Sequence, residues 1–528
     1  MEAWLLASLC KRPGEIYNQI ASSRRPDTSS AEKELPTRVL DLGDDSNKPR
    51  GALCLRCPVA GSKGQYITLS HRWGYKRSTQ LTRKNLESYQ RRIRFWSQPS
   101  TFRDAIIITR KLGFRYLWID ALCIIQDDPD DWQRESINMA SVYHNAICNL
   151  AAHTAKSASD GFLKLAFQKV PTMQVRHPDS NNRSVANLVL ASNFEDQVNK
   201  SSLSRRGWVF QERVLSCRIL HFVAHHVFFE DASGVNADDV GGTGKPFYPS
   251  DDQHVWQQSK LNLEDGFEGE AFWYRLVERY SKCVLTIASD RLPAVAGLSR
   301  YIGEKHDVGL YHFGLFSKSM HQGLLWVEVE EEPEELVSDS PRGGAAAPSW
   351  SWARWKGQVA YPRHLSAVTC LCELSTASST GRRPSIIAAG QNNILSISGR
   401  VVKLRGVKAT PRESDTSKFR PFDQKAPGMY EITADALDSS MWIAFDGERR
   451  PEIAHAELSC LLISVYRFDS NLRIEGDKGV QRHSYELYYF LVISAKAESP
   501  DRFRRIGLGA TEHDLWQESA MEQVIVIH

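Results

Sequence analysis

The chain has 528 residues, a length that at ~150 residues per domain suggests about three domains. Hydrophobic residues make up 42% and charged residues 24%, which excludes a collagen, a disordered tail or a coiled coil. Lysine plus arginine exceed the acids by 66 to 63, a net charge of +3, too balanced for a dedicated nucleic-acid or membrane-surface binder.

The first residues, Met1-Glu2-Ala3-Trp4-Leu5-Leu6-Ala7, carry an acid where a secretory signal has a base, and no later run reaches the ~18 apolar residues of a membrane span. The ten cysteines are thinly spread, as in a reduced, intracellular protein. A cytoplasmic location is expected, with neither membrane nor nucleic acid as partner. Residues 1–34 read as a mobile arm, and residues 35–42 and 53–59 as strands.

Between about 66 and 152, apolar runs alternate with helical periodicity, the pattern of an α/β unit with a parallel sheet. The runs are Tyr66-Ile67-Thr68-Leu69-Ser70, residues 116–124 and residues 147–152. Each suits a strand covered on both faces. Thr101 is expected to cap a first helix with Asp104 as its capping-box partner and Gly113 as its stop. A second helix is expected over about 131–145, with Trp132, Ser136, Met139, Tyr143 and Ala146 in one stripe. Glu135 falls about 60° from the centre of that stripe. A carboxylate beside an apolar face needs a partner, a ligand or a raised pKa.

Residues 205–215 read as a turn into a short helix, 218–223 as a strand, 231–254 as a surface loop and 272–287 as a helix. Together 231–327 form a loop plus a helical region. An acidic and Gly/Ala-rich linker over 328–348 then leads to a β-rich region, 349–528. Its strands are expected at 394–404, 429–434, 441–445, 458–466 and 485–494. Fourteen tryptophans point to large packed cores, and Trp350, Trp352 and Trp355 read as a domain-interface core.

Three blocks carry a family resemblance. They are Tyr66-Ile67-Thr68-Leu69-Ser70-His71-Arg72-Trp73-Gly74, then Leu117-Trp118-Ile119-Asp120-Ala121-Leu122-Cys123-Ile124-Ile125-Gln126-Asp127, then Arg206-Gly207-Trp208-Val209-Phe210-Gln211-Glu212-Arg213. In this order and spacing they resemble the fungal heterokaryon-incompatibility (HET) domain, with Ile125 where that family has asparagine. Leu35-Pro36-Thr37-Arg38 and Pro348-Ser349-Trp350-Ser351-Trp352-Ala353 are similar to the family's fuller architecture. The resemblance places the HET domain at about 35–230. It implies fungal non-self recognition ending in growth arrest or cell death, an incompatibility partner protein, and a distant similarity to Toll/interleukin-1-receptor (TIR) domains, several of which cleave NAD and self-associate. The expected fold is a TIR/flavodoxin-like parallel sheet, followed by a helical middle and a β-rich end.

In TIR enzymes the catalytic glutamate follows a tryptophan on the corresponding helix. Trp132-Gln133-Arg134-Glu135 is similar but one residue shorter, which makes Glu135 the expected catalytic residue. A carboxylate suits the cleavage of a nicotinamide–ribose bond, because the ribose becomes oxocarbenium-like and nicotinamide leaves neutral without a general acid. Ser70, His71, Arg72, Trp73, Asp120 and Arg206 are expected to bind NAD as substrate, with arginine holding the pyrophosphate. No permanently bound cofactor is expected. The bland alternative has Glu135 in an ion-pair network with Arg38, Arg72 or Arg206.

Other motifs read as structure. Ser70 and His71 are adjacent on a strand and point to opposite faces, and no G-x-S-x-G elbow exists, which argues against a hydrolase triad with Asp120. Residues 241–246 have Pro246 where a phosphate loop has Ser or Thr. Cys54 and Cys57 form one CxxC and Cys370 and Cys372 a distant CxC, read as buried free thiols rather than zinc ligands. His221, His225 and His226 lie on a strand-like segment unsuited to helical ligation, so no metal is expected. The basic stretch 76–94 reads as a solvated helix face with Leu86 and Tyr89 inward. Two further functions stay open: a non-catalytic interaction scaffold, and an enzyme of small-molecule biosynthesis.

Overall fold

The computed structural model describes residues 33–43, 53–74, 79–166, 168, 172–176, 185–189, 193–232, 234–237, 271–329, 347–355, 357–362, 364–376, 394–405, 407–411, 429–434, 441–446, 458–472, 481–496, 499–512, 514–517 and 520–528. The chain divides into two compact units, residues 1–266 with 294–301, and residues 267–293 with 302–528. The expected arm lies outside the described residues apart from Lys33 and Glu34, as does the linker apart from its ends, and the 241–246 motif lies outside them entirely.

The first unit is built on one mixed sheet. Its strands are β1 (Val39–Asp41), β2 (Cys54–Arg56), β3 (Tyr66–Ser70), β4 (Tyr116–Trp118), β5 (Cys148–Ala152), β6 (Ile219–Phe222), β7 (Val227–Asp231) and β8 (Gly234–Ala237). Their spatial order is β8-β7-β6-β5-β3-β4-β1-β2. The central four, β6-β5-β3-β4, run parallel. The outer pairs are antiparallel, so the parallel sheet expected from the apolar runs is the middle of a wider mixed one. Every residue of β3 and β5 is buried, as runs without polar alternation demand. From β3 the chain steps to β4 on one side and then returns to β5 on the other. The carboxyl end of β3 is therefore a topological switch point.

Helix α1 (Ser100–Lys111) joins β3 to β4, α2 (Pro129–Asn145) joins β4 to β5, and α3 (Gly207–Leu215) precedes β6. The expected Thr101 cap is not made. The helix starts at Ser100 after Pro99, and the Asp104 carboxylate instead accepts from the Phe162 and Leu163 amides at 2.7 and 3.0 Å. Thr101 sits within the first turn and donates to the Ser157 carbonyl. Gly113 does end the helix, at φ +80°, a conformation that favours glycine. Helix α2 begins two residues before its expected start, because Asp128 accepts from the Asp130 and Asp131 amides and Pro129 takes the first turn, where its missing N–H costs nothing.

Three further boundaries differ from expectation. The second apolar run is strand only through Trp118. Asp120 then opens a short helix, Asp120–Cys123, with its own carboxylate accepting from the Ala121 amide at 2.7 Å. Residues 231 and 234–237, expected as loop, belong to β7 and β8 and extend the sheet, while 238–254 lie outside the described residues. The helix expected over 272–287 stops at Ser281, and Val284, expected on its buried face, is exposed. Of the CxxC thiols only Cys54 is buried; Cys57 is exposed. The helix Leu86–Arg91 keeps Leu86 and Tyr89 half-buried with its arginine outside.

In the second unit the β-rich region is a ten-stranded sheet. It comprises β9 (Val368–Cys370), β10 (Glu373–Thr376), β11 (Leu395–Leu404), β12 (Lys408–Pro411), β13 (Met429–Thr433), β14 (Met441–Phe445), β15 (Leu458–Leu472), β16 (Gln481–Lys496), β17 (Ser499–Thr511) and β18 (Met521–Ile527). The five expected strands are present within it. Val402, Ile443, Phe490, Val492 and Trp516 form part of its core. Trp350 and Trp352, expected at a domain interface, are buried inside this unit: Trp352 Nε1 donates to the Gly314 carbonyl at 3.0 Å, and the Trp350 carbonyl accepts from Trp326 Nε1 at 3.1 Å.

Candidate functional site at the carboxyl end of the central strands

Strand β3 ends at Ser70, and His71, Arg72, Trp73 and Gly74 follow it out of the sheet. Asp120 stands just beyond β4, beside them. Trp73 Nε1 donates to Asp120 Oδ2 at 2.7 Å, and His71 Nδ1 lies 3.7 Å from Asp120 Oδ1. Arg206, at the foot of α3, donates to the His71 carbonyl. The fold therefore gathers five of the expected residues, His71, Arg72, Trp73, Asp120 and Arg206, from three segments far apart in the chain. Gly74 makes this exit possible: its φ is +76°, and a Cβ there would stand 2.6 Å from the Ser157 side chain.

His71 is 3% exposed, and burial holds its pKa down to about 4, opposed by Asp120 and reinforced by Arg206. It is a neutral imidazole whose Nε2 has no hydrogen-bond partner among the described residues. A buried ring nitrogen left unpaired costs ~1–3 kcal/mol, which a ligand or water at this spot would recover. Arg72 is half-buried and has no ion-pair partner among the described residues.

Ser70 faces inward to a carboxyl that the sequence reading passed over. Its Oγ donates to Glu212 Oε2 and accepts from Asn149 Nδ2 at 2.9 Å, while Thr68 Oγ1 donates to Asn149 Oδ1 at 3.2 Å. The Tyr143 hydroxyl also reaches Glu212, and stands 3.3 Å from the Leu69 carbonyl. Burial pushes the Glu212 carboxyl up to about 7, aided by the nearby Asp120 charge and opposed by Ser70, Arg206 and Tyr143. Glu212 lies in the third sequence block, where an acid after Val209-Phe210-Gln211 on a largely apolar helix was the available signal.

Helix α3 is pinned beside the strands by its next residue. Arg213 Nε donates to Glu230 Oε2 at 3.1 Å, and the same oxygen receives His221 Nε2 at 2.8 Å. His221 Nδ1 meets His153 Nε2 at 2.9 Å, and His153 Nδ1 meets Ser201 Oγ at 2.7 Å. A carboxylate only accepts, so this chain orients both rings, and burial keeps His153 well below the ordinary histidine pKa. His221 thus works on a strand as a hydrogen-bond bridge.

Glu135 belongs to a different cluster. It is 2% exposed, with Arg38 NH2 at 3.6 Å and Arg134 Nε at 3.9 Å from Oε1. Arg38 also donates to Asp131 Oδ2 and to the Cys123 carbonyl, and Arg134 to Asp131 Oδ1. Burial raises the Glu135 pKa against the pull of Arg38. Along α2, Glu135 is eight positions from Tyr143, a rise of ~12 Å at 1.5 Å per residue. The structure thus separates Glu135 from the Ser70 network in sequence, partners and position along the helix.

Residues 66–212 match the family described as heterokaryon incompatibility protein (HET). The match opens on the first residue of β3 and closes on Glu212, so it encloses the whole strand-end cluster. No curated protein and no solved structure matches the chain. The chain thus carries, over residues 66–212, a segment that matches the HET domain and holds Ser70, Asp120 and Glu212.

Proposed function

We propose that this protein is an effector of fungal heterokaryon incompatibility, a cytoplasmic non-self response ending in cell death, and that its HET domain hydrolyses NAD. The observation that carries the reading is the buried Glu212 carboxyl hydrogen-bonded to Ser70 at the switch point of the parallel strands. The order β4-β3-β5-β6 follows the 2-1-3-4 succession of flavodoxin-like sheets, whose ligands sit at such a point. A similarity to TIR domains would follow from the same topology.

In the proposed reaction the C1′–N bond of the nicotinamide riboside breaks and its electron pair returns to the ring, so nicotinamide leaves neutral. Water bonds to C1′ and its proton passes to solvent, yielding ADP-ribose. Ionised Glu212 stabilises the positive ribose in passing, while Arg72 and Arg206 hold the pyrophosphate. His71 Nε2 is a hydrogen-bonding group still to be satisfied at this site. Glu135, the acid implied by the TIR resemblance, has Arg38 against it, and the reading therefore assigns the role to Glu212. Self-association through the HET domain belongs to the same proposal.

Purified full-length protein incubated with NAD at increasing protein concentration, with nicotinamide release measured, tests it. Release that falls at least 100-fold in E212Q and persists in E135Q is the expected result. Loss in E135Q alone moves the role to Glu135. No release from folded protein at any concentration leaves the scaffold reading.

A further inference from the structure

Cys370 ends β9 and Cys372 precedes β10, at a corner where the chain changes partners. Strand β9 pairs with β15, Cys370 opposite Ser464, and the Leu371 amide still donates to the Ile463 carbonyl at 2.8 Å. Two residues later β10 pairs with β11, Glu373 opposite Ser398. The bend brings the two thiols together: Sγ stands 4.0 Å from Sγ, and Cys370 Sγ donates to the Cys372 carbonyl at 3.2 Å. Both cysteines are free and half-buried, so small oxidants reach them while bulk protein does not surround them fully. Gly399 on β11 keeps the corner open, since a Cβ there would already lie 3.2 Å from Cys372 Cβ.

We propose that Cys370 and Cys372 form a thiol-oxidation site, at which a hydroperoxide oxidises Cys370 and Cys372 resolves the product to an intrachain disulfide. The Cys370 thiolate attacks the peroxide oxygen, the O–O bond breaks, and the departing alkoxide or hydroxide takes a proton to leave as alcohol or water. The sulfur becomes a sulfenic acid. Cys372 sulfur then displaces its hydroxyl, which leaves as water with the Cys372 proton, and one S–S bond forms. Closing the bond requires the sulfurs to approach by about 2 Å, a side-chain rotation across a corner not locked in a ladder on both sides.

The electrostatics support this division of labour. The hydrogen bond from the Cys372 thiol draws the Cys370 pKa down to about 7, against the effect of burial, while the same contact raises Cys372. The first thiol is reactive at neutral pH, and the second keeps its proton until it resolves the sulfenic acid. The site lies in the β-rich unit, and its chemistry is independent of the NAD reading.

Full-length protein is reduced, freed of reductant, exposed to micromolar hydrogen peroxide at pH 7.5, alkylated and mapped by peptide mass. The peptide carrying both cysteines is expected to lose two hydrogens and resist alkylation, while exposed Cys57, whose CxxC mate Cys54 is buried, stays alkylatable. In C372S, Cys370 is expected to be trapped by a sulfenic-acid-specific dione; in C370S, Cys372 is expected to stay unlabelled. The alkylation rate of Cys370 should titrate near 7 in the wild type and shift up in C372S. Full alkylation of both thiols after the peroxide dose, labelling of Cys372 rather than Cys370, or a disulfide between two chains would overturn the proposal.

Discussion

Ser70, the last residue of β3, hydrogen-bonds Glu212, in the last turn of α3, across 142 positions of the chain. That contact places a titrating carboxyl at the end of a parallel strand. It also lets the pH behaviour of the fold report on the site.

Glu212 has a folded pKa near 7 against 4.5 in an unfolded chain. Between those values the native state binds more protons, so this group costs stability as pH rises, by as much as ~3 kcal/mol once fully ionised. The E212Q variant keeps the shape without the charge. Its stability relative to wild type, measured by urea unfolding, is expected to improve steadily from pH 4.5 to 7.5. Parallel pH profiles for the two proteins would contradict the assignment.

His71 works in the opposite direction. Its folded pKa near 4 lies below the ordinary 6.5, so its contribution is complete above 6.5 and lost as pH falls toward 4. H71N is expected to be less stable than wild type at pH 7, with the gap narrowing by up to ~3 kcal/mol as pH is lowered to 4. His153 follows the same sign. Histidine proton resonances that titrate near 6.5 in the folded protein at these two positions would refute both statements.

Removing the Arg38 guanidinium leaves the buried acids Asp131 and Glu135 with only the more exposed Arg134 as a cation. R38A is therefore expected to cost ~2–4 kcal/mol, somewhat less than fully orphaning a buried charge, because Arg134 remains. Adding D131N and E135Q should recover a substantial part of that loss. If the triple variant is no more stable than R38A in thermal melts, the charges are not the cause.

Gly314 accepts two tryptophan N–H groups at its carbonyl, from Trp273 at 2.8 Å and Trp352 at 3.0 Å. Its φ is +97°, and a Cβ there would meet Trp352 Nε1 at 2.3 Å. G314A combines backbone strain with a forced displacement of a buried ring, an expected cost of at least ~2 kcal/mol. Tryptophan fluorescence should shift with it. A wild-type melting temperature in G314A would rule out this packing.

Much of the first unit was legible before folding. Continuous apolar runs without polar alternation mark buried parallel strands, and β3 and β5 lie where those runs are. Helix α2 was recognisable by its stripe, although Asp128 and Pro129 moved its start. Thr101 shows where such reading fails: the hydroxyl and Asp104 have the spacing of a capping box, yet both serve the distant 157–163 segment. Local pattern offers a cap; tertiary packing decides which N–H groups need it.

The candidate site divides the same way. The three blocks bring forward His71, Trp73, Asp120 and Arg206, because their order and spacing are properties of the chain. Glu135 also announced itself, as an acid beside an apolar stripe, and its answer is Arg38. Glu212 gave a weaker signal, an acid on a short, largely apolar helix, whose role is set only by the neighbours the fold brings to it.

Residue order alone established the α/β alternation, the buried strands and the kinship of the 66–212 segment, for these depend on local periodicity and motif spacing. Which carboxyl meets Ser70, and which meets a guanidinium, was decided by the folded chain. Burial and the partners brought in from far along the polypeptide set a side chain's proton affinity, and neither exists until the sheet is assembled.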